Sequence, residues 1–495
     1  MKPYRILTKA YYREYSPVRS QIESFNYFVE YEMQKIIDEI GEVEMTITPP
    51  GVKEVKVKFG KVSIGKPDVV EPDGIRRIIY PQEARIRNLT YSSSVYLEYE
   101  MYYDDNLREK GIVEIGRIPI MVRSKYCNLY GLSEEELIKL GEDPTDPGGY
   151  FIINGTERVV VMTEELFTNR LYVEEEKSGS AKYVGRIFSE AGILNVPHKI
   201  ELMKDGLFMI SFGKIKRTPV FVILKALGME TDQEIAQAID PERLWDEVLV
   251  NLYEYQEIKN ADEAVKWLAN HWHIPGPEEL RKERVYEILD KYLLPHIGQS
   301  PADRYAKAWN LCKYIKKMLL VAYGELPEDD KDHYMNKQIR LAGDLLSEMF
   351  RVVFKLLIND AKYQYERLVK RGKIPTFRSV IRSKIFTERF ETAMGTGQWT
   401  RKRVGVSQML DRMNKLATIS HLTRIWSPLE AEGEMYEIRM LHGTHWGRLC
   451  PIETPEGKNV GLRKNLALLA RISPEVPEAE VLNKLKELGL EPYKK

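Results

Sequence analysis

The sequence predicts a multidomain α+β protein, and three observations carry that reading. The chain has 495 residues, more than a single hydrophobic core organises, so about two to four domains are expected. Apolar residues alternate with polar ones in several short stretches, the period of a half-buried strand. Elsewhere the spacing changes to that of amphipathic helices, in residues 231–292 and again in residues 344–371.

Taken in order, Val55, Val57 and Phe59 alternate with lysines, and Val95, Leu97, Tyr99 and Met101 alternate with tyrosine and glutamate. Both stretches predict strands with one face buried. Asp146-Pro-Gly-Gly149 predicts a turn, and Phe151 begins a buried strand. Residues 231–292 predict short helices with acidic faces, hence a separate helix-rich unit. Residues 344–371 predict one long helix. Leu345, Met349, Val353, Leu356 and Leu357 form its apolar face, Lys370 and Arg371 suit its C-terminal dipole, and Gly372 can end it. Residues 408–416 read as helical, and residues 460–473 as a buried strand with an open edge. A last helix is expected near residues 478–488.

Composition excludes several classes. A hydrophobic content of 43% with 30% charged residues fits a globular chain. Apolar stretches such as residues 220–224 are far below membrane-spanning length, and MKPYRILTKAYYREYSP has no apolar signal segment. Cys127, Cys312 and Cys450 are isolated, against a zinc ribbon or a disulfide scaffold and in keeping with a cytoplasmic location. The formal net charge is zero, unlike a simple nucleic-acid-coating protein. Its distribution is uneven: residues 229–263 hold eleven acids against Arg243 and Lys259, whereas residues 382–425 hold nine bases against Glu388, Glu391 and Asp411.

The least ordinary stretch begins at Gly443 and reads GTHWGRLCPIETPEGKNVGLRKNLALLARIS. Pro451, Pro455, Gly457 and Gly461 interrupt it too often for a helix or a regular strand. It is either a tight surface loop before a strand or a rigid loop that presents side chains to a ligand. Arg401, Lys402 and Arg403 form a basic triplet after a glycine-containing turn. Glycine permits close backbone approach, and arginine offers forked donors to phosphate.

Metal chemistry has weaker support. Asp330 and Asp332 have D-x-D spacing within Glu328-Asp-Asp-Lys-Asp332; the alternative is a solvated acidic loop. His271 with His273, and His442 with His445, lack a matched fourth zinc ligand at usual spacing. No G-x-x-x-x-G-K-[ST] phosphate loop is present.

The run from Gly443 resembles a signature of the second-largest, bacterial β-type subunit of multisubunit DNA-directed RNA polymerases. So do RIRNLTYSS (85–93), PIMVRSKYCNL (119–129), GGYFIINGTERVV (148–160), DKDHYMNKQIRLAGDLL (330–346) and GVSQMLDRMNKLATISHLTR (405–424). The blocks follow the family's order, and match its first half only. The resemblance implies a protrusion formed by residues 1–167 and 340–390, a lobe at 168–339, a fork at 391–473, and the start of an external region at 474–495. The chain is most similar to the N-terminal polypeptide of the split archaeal subunit, and residues 478–492 read as a natural end.

That resemblance implies nucleic-acid-binding roles for Arg401, Lys402, Arg403, Gln408, Arg412, His421, Arg424 and Asn459, with Glu456 near the active centre. No catalytic residue and no metal ligand is expected in this chain. The Mg²⁺ of the assembled polymerase would be held by the largest subunit, so the isolated chain should be inactive. Implied partners are the C-terminal half of the same subunit, the other polymerase subunits, template DNA, nascent RNA and nucleoside triphosphates, with no membrane. Glu430, Glu432 and Glu434 depart from the family pattern and put DNA contact by that loop tip in doubt. Two rival readings are a freestanding nucleotidyltransferase using the Asp329–Asp332 cluster, and a non-enzymatic nucleic-acid or protein-binding scaffold outside transcription.

Overall fold

The alternation at residues 55–59 and 95–101 becomes the centre of a four-stranded antiparallel sheet. Its strands Glu42–Glu44, Val55–Ile64, Ser92–Tyr103 and Asn106–Pro119 lie in that order. Val55, Val57, Val95, Leu97, Tyr99 and Met101 are all buried, while Lys58 opposite Glu100 faces water. The computed structural model describes residues 3–177, 179–192, 194–399, 403–428, 436–473, 476 and 478–490. It is a mixed α+β chain with several sheets, divided into one unit of Met1–Glu165 with Gln338–Lys495 and a second of Leu166–Lys337.

In the first unit the long helix is Ala342–Val369. Leu345, Met349, Phe350, Val353, Phe354 and Leu357 bury its apolar face; Leu356, expected there, is 40% exposed, and the phenylalanines take its place. The helix start is capped from far away in sequence. Gln21 Oε1 accepts the Ala342 N–H at 2.9 Å and Ser24 Oγ the Gly343 N–H at 2.9 Å, satisfying donors that a helix N-terminus leaves open. Gly343 approaches the Ser24 backbone so closely that any Cβ would overlap it. Two further sheets carry the remainder. One orders Ser407–Met409, Thr156–Val160 and Phe151–Ile153. The other orders Lys337–Arg340, Met162–Leu166, Arg424–Trp426 and Arg463–Asn465.

Two local expectations fail here. Residues 408–416 are not a helix: Gln408 pairs with Val159 in a strand, and the helix is Lys415–Leu422. Its start is set by Asn414, whose side chain accepts the Ala417 N–H at 2.8 Å. Residues 460–473 are not one buried strand. Only Arg463–Asn465 form a strand, followed by a single bridge at Leu466, and Leu468 and Leu469 are each 67% exposed. The last helix runs Glu478–Glu487.

The second unit opens with an antiparallel meander, Tyr172–Glu175, Ala181–Ala191, Leu194–Met203, Phe208–Phe212 and Ile215–Pro219, in sequence order. The expectation of a helix-rich unit therefore covers only its later part, where the helices from Val220–Ala226 to Arg304–Ala322 pack with this sheet into one core. Lys307 and His198, buried in it, both find partners. Lys307 Nζ donates to the carbonyls of Leu289 and Asp290, at 3.0 and 2.6 Å, and burial lowers its pKa to about 8. His198 bonds Val196 O through Nδ1 at 2.9 Å and accepts the Leu294 N–H at Nε2 at 3.0 Å. No helix among the described residues is long and apolar enough to cross a membrane.

Candidate nucleic-acid interface

The proline- and glycine-rich run from Gly443 folds as a loop closed in two places. At its base Cys450 N–H donates to Asn465 O at 2.9 Å, and Leu449 bridges Leu466. Higher up, Thr454 Oγ1 accepts the Gly461 N–H at 2.9 Å and donates to Arg463 O at 3.0 Å. Gly461 has φ +71°, and a Cβ there would run into the Arg439 backbone, so glycine alone fits. Arg439 Nη1 holds the carbonyls of Lys458 and Val460 at 2.6 and 3.0 Å. Glu456 stands exposed before the 3₁₀ turn Gly457–Asn459, and Asn459 is half-buried. Trp446 is 87% exposed.

Beside this loop, the strands Arg424–Trp426 and Arg463–Asn465 pair antiparallel, with Arg424 opposite Asn465 and Trp426 opposite Arg463. Side chains alternate across a strand. Ile425 and Lys464 therefore turn to the buried face, where Lys464 Nζ meets both Glu164 oxygens at 2.9 and 3.1 Å. Arg424 and Arg463 share the opposite face and are half-buried. Among the described residues neither guanidinium has a hydrogen bond or an ion pair. Burial, then the nearby Arg463, lowers the Arg424 pKa, with Glu453 and Asp411 acting the other way. Glu453 is itself held by a hydrogen bond from Ser420 Oγ, whose backbone carbonyl accepts from Asn465 Nδ2 at 2.8 Å.

His421 and Gln408 come together. His421 Nδ1 accepts the Asp411 N–H at 3.1 Å, which leaves the proton on Nε2 to donate to Gln408 Oε1 at 3.2 Å. Burial pushes the His421 pKa down to about 4, and Arg424 adds to the effect. This imidazole is neutral at physiological pH and orients Gln408, whose Nε2 donates to Gly405 O at 3.0 Å.

The other arginines are engaged within the fold. Arg412 binds Glu157 at 2.6 Å and Asp146 at 2.8 Å and lies over the Tyr150 ring. Burial opposes its charge, but these acids raise its pKa on balance. Arg403 pairs with Glu165 at 2.7 Å and lies 3.4 Å from Glu348. Arg401, Lys402, Glu430, Glu432 and Glu434 lie outside the described residues. The structure thus groups Gln408, His421 and Arg424, and adds Arg463, which the sequence alone did not single out. The signal for it was the period of two in Arg463-Lys464-Asn465.

The acidic cluster serves its own backbone. Asp330 Oδ1 accepts the N–H groups of Asp332 and His333, and Asp329 pairs with Lys317 at 2.6 Å. His271 Nε2 lies 3.2 Å from Arg217 O and its ring stacks on Trp267. No group of three or more His, Cys, Asp or Glu among the described residues could hold a metal ion.

Comparison with known proteins adds a consistent set of matches. A family model described as RNA polymerase beta subunit matches residues 16–388, and one described as RNA polymerase Rpb2, domain 3, matches residues 408–472. The chain is 44% identical over 495 residues to DNA-directed RNA polymerase subunit Rpo2N of Methanocaldococcus jannaschii, covering 98% of this chain and 99% of that one. It is 38% identical to the Rpo2N of Halobacterium salinarum, covering 98% and 96%. Against DNA-directed RNA polymerase subunit Rpo2 of Saccharolobus solfataricus it is 42% identical, covering 98% of this chain but 43% of the relative.

Proposed function

The chain belongs to the RNA polymerase beta subunit family, as a component of a DNA-directed RNA polymerase, and from that premise we propose that it forms one side of the DNA cleft and guides the RNA–DNA hybrid during synthesis. In this reading residues 1–167 and 340–390 are the protrusion, 168–339 the lobe, 391–473 the fork, and 474–495 the start of the external region. The observation that carries the reading is the half-buried Arg424 guanidinium, without a carboxylate partner among the described residues, beside the neutral His421–Gln408 pair. Such a group is suited to a backbone phosphate, a contact that holds register without reading sequence. Gln408 is a neutral donor and acceptor held in place by His421, and Glu456 and Asn459 sit on a loop stiffened by Thr454 and Arg439. Arg412 and Arg403 act in this reading by fixing the loops that carry the contacts; for Arg401 and Lys402, outside the described residues, a nucleic-acid contact is proposed on the family resemblance alone.

The described residues offer no donor set for the polymerase Mg²⁺. We assign it to the largest subunit, and no step of this chain's role runs through it. The proposed partners are the rest of the second-largest subunit, the largest and other subunits, template DNA, nascent RNA and nucleoside triphosphates. A photoreactive nucleotide placed at successive positions of nascent RNA, in the assembled enzyme, tests the reading. Adducts within residues 403–428 and 436–465 are expected; adducts confined to other subunits would overturn it.

A further inference from the structure

Arg463 stands outside the set of contacts considered so far. It lies diagonally across the strand pair from Arg424: Trp426 faces Arg463, Arg424 faces Asn465, and both arginines project to the same side. Each is half-buried. Glu453 and Asp411 lie near enough to favour the Arg424 charge, but among the described residues neither forms an ion pair with either guanidinium, and Glu453 accepts a hydrogen bond from Ser420 Oγ. On the reverse face, by contrast, Lys464 has its own carboxylate, Glu164. Two like charges held side by side in a partly desolvated place repel each other, and the fold supplies no ion pair to either among the described residues. That arrangement is costly for the chain alone and favourable once an anion sits between the two forks.

We propose that Arg424 and Arg463 form a two-arginine clamp for a single phosphodiester of the nucleic acid in the cleft. The proposal rests on the nucleic-acid reading of Arg424 and extends it: the second fork makes the grip specific in geometry as well as in charge. Arg463 is a positioning residue, since it holds the strand and touches no reacting group in this scheme.

The test uses the assembled polymerase on a defined RNA–DNA scaffold, with complex lifetime measured across a salt titration. Arg424→Ala and Arg463→Ala should each shorten the lifetime, by about tenfold for loss of a charged hydrogen-bonded contact. The double variant should lose about one unit of salt slope, the amount for one phosphate, and not two. Arg463→Lys should restore part of the lifetime, because charge returns without the fork. Arg463→Gln, of similar size, guards against a packing artefact. Thermal stability of the enzyme should not fall in any of these variants, since the folded chain gains nothing from the repelling pair. On the nucleic-acid side, one methylphosphonate position should shorten the lifetime of the parent enzyme and leave that of the double variant unchanged. If Arg424→Ala shortens the lifetime and Arg463→Ala and Arg463→Gln do not, the clamp is wrong and the wider reading stands. If neither position matters, both fail. A loss of two slope units, or no methylphosphonate position with the stated behaviour, also overturns the clamp.

Discussion

Arg412 and Arg424 illustrate how two residues of one type, close in sequence, take opposite parts. Arg412 is bound by Glu157 and Asp146 and covers Tyr150; Arg424 has no such partner among the described residues. Arg412→Ala should therefore destabilise the folded chain by about 1–3 kcal/mol, the range for charged hydrogen bonds. Arg424→Ala should leave the thermal midpoint in place and weaken the elongation complex with little dependence on template sequence. Paired melting and complex-lifetime measurements distinguish the two, and the reverse pattern would exchange their roles. His198 supplies a prediction about pH. Burial lowers its pKa from 6.5 to about 4 in the fold. Between these values the unfolded chain binds a proton that the folded chain does not. Its contribution is therefore fully present above about pH 6.5 and is lost as the pH falls through about 4. Unfolding midpoints of the parent should drop across that window. Those of His198→Gln should start lower and drop less; parallel curves would show that His198 does not titrate with folding.

The strand Arg463–Asn465 is secured from beneath. Lys464 reaches Glu164 on the strand Met162–Leu166, with Arg424–Trp426 between them. Both partners are buried, so Lys464→Met should cost about 3–5 kcal/mol by removing the cation held against the buried Glu164 carboxylate. Adding Glu164→Leu should recover most of that in a denaturant titration; strict additivity of the two losses would contradict this account. Elements of this kind were unequally legible in the sequence. The strands around Val57 and Leu97 and the helix Ala342–Val369 followed from periodicity, because each buries one face along its length. Residues 408–416 were misread because Gln408, Met409 and Leu410 fit a helix as readily as a strand. The tertiary pairing with Val159 decided the matter, and Asn414 marked the true helix start. The meander of Leu166–Lys337 was not recognised in the sequence; the acidic helices that follow it dominated the reading. At the site, the grouping of Gln408, His421 and Arg424 came from resemblance, whereas the internal engagement of Arg412 and Arg403 depends on partners more than two hundred residues away.

At the scale of the molecule, the first unit leaves apolar surface open. A cleft of about 800 Å³ is lined by Leu416, Ile419, Cys450, Leu466 and Leu468, among others, and Leu468 and Leu469 are exposed. Surfaces of this kind are usually covered by a partner, and obligate interfaces bury upwards of roughly 2,000 Å². The lone chain should self-associate in sedimentation, and co-expression with the remainder of the subunit should suppress it; a monomer indifferent to that remainder would contradict the expectation. The division of the chain at Glu165 and Gln338 also bears on its synthesis. The core of the first unit draws on Val95 and Phe151 but also on Leu345, Phe350 and Phe390, so the leading segment leaves the ribosome with part of its interior missing. At about 5–20 residues per second, the complement arrives some 10–50 s later. Residues Leu166–Lys337, whose core is continuous in sequence, can fold during that wait. Ribosomes stalled once those residues have emerged should carry a nascent chain in which they resist protease while residues 3–165 are cut. Uniform protection would mean that the leading segment finds a temporary cover, and a chaperone bound to the nascent chain would be the first place to look for it.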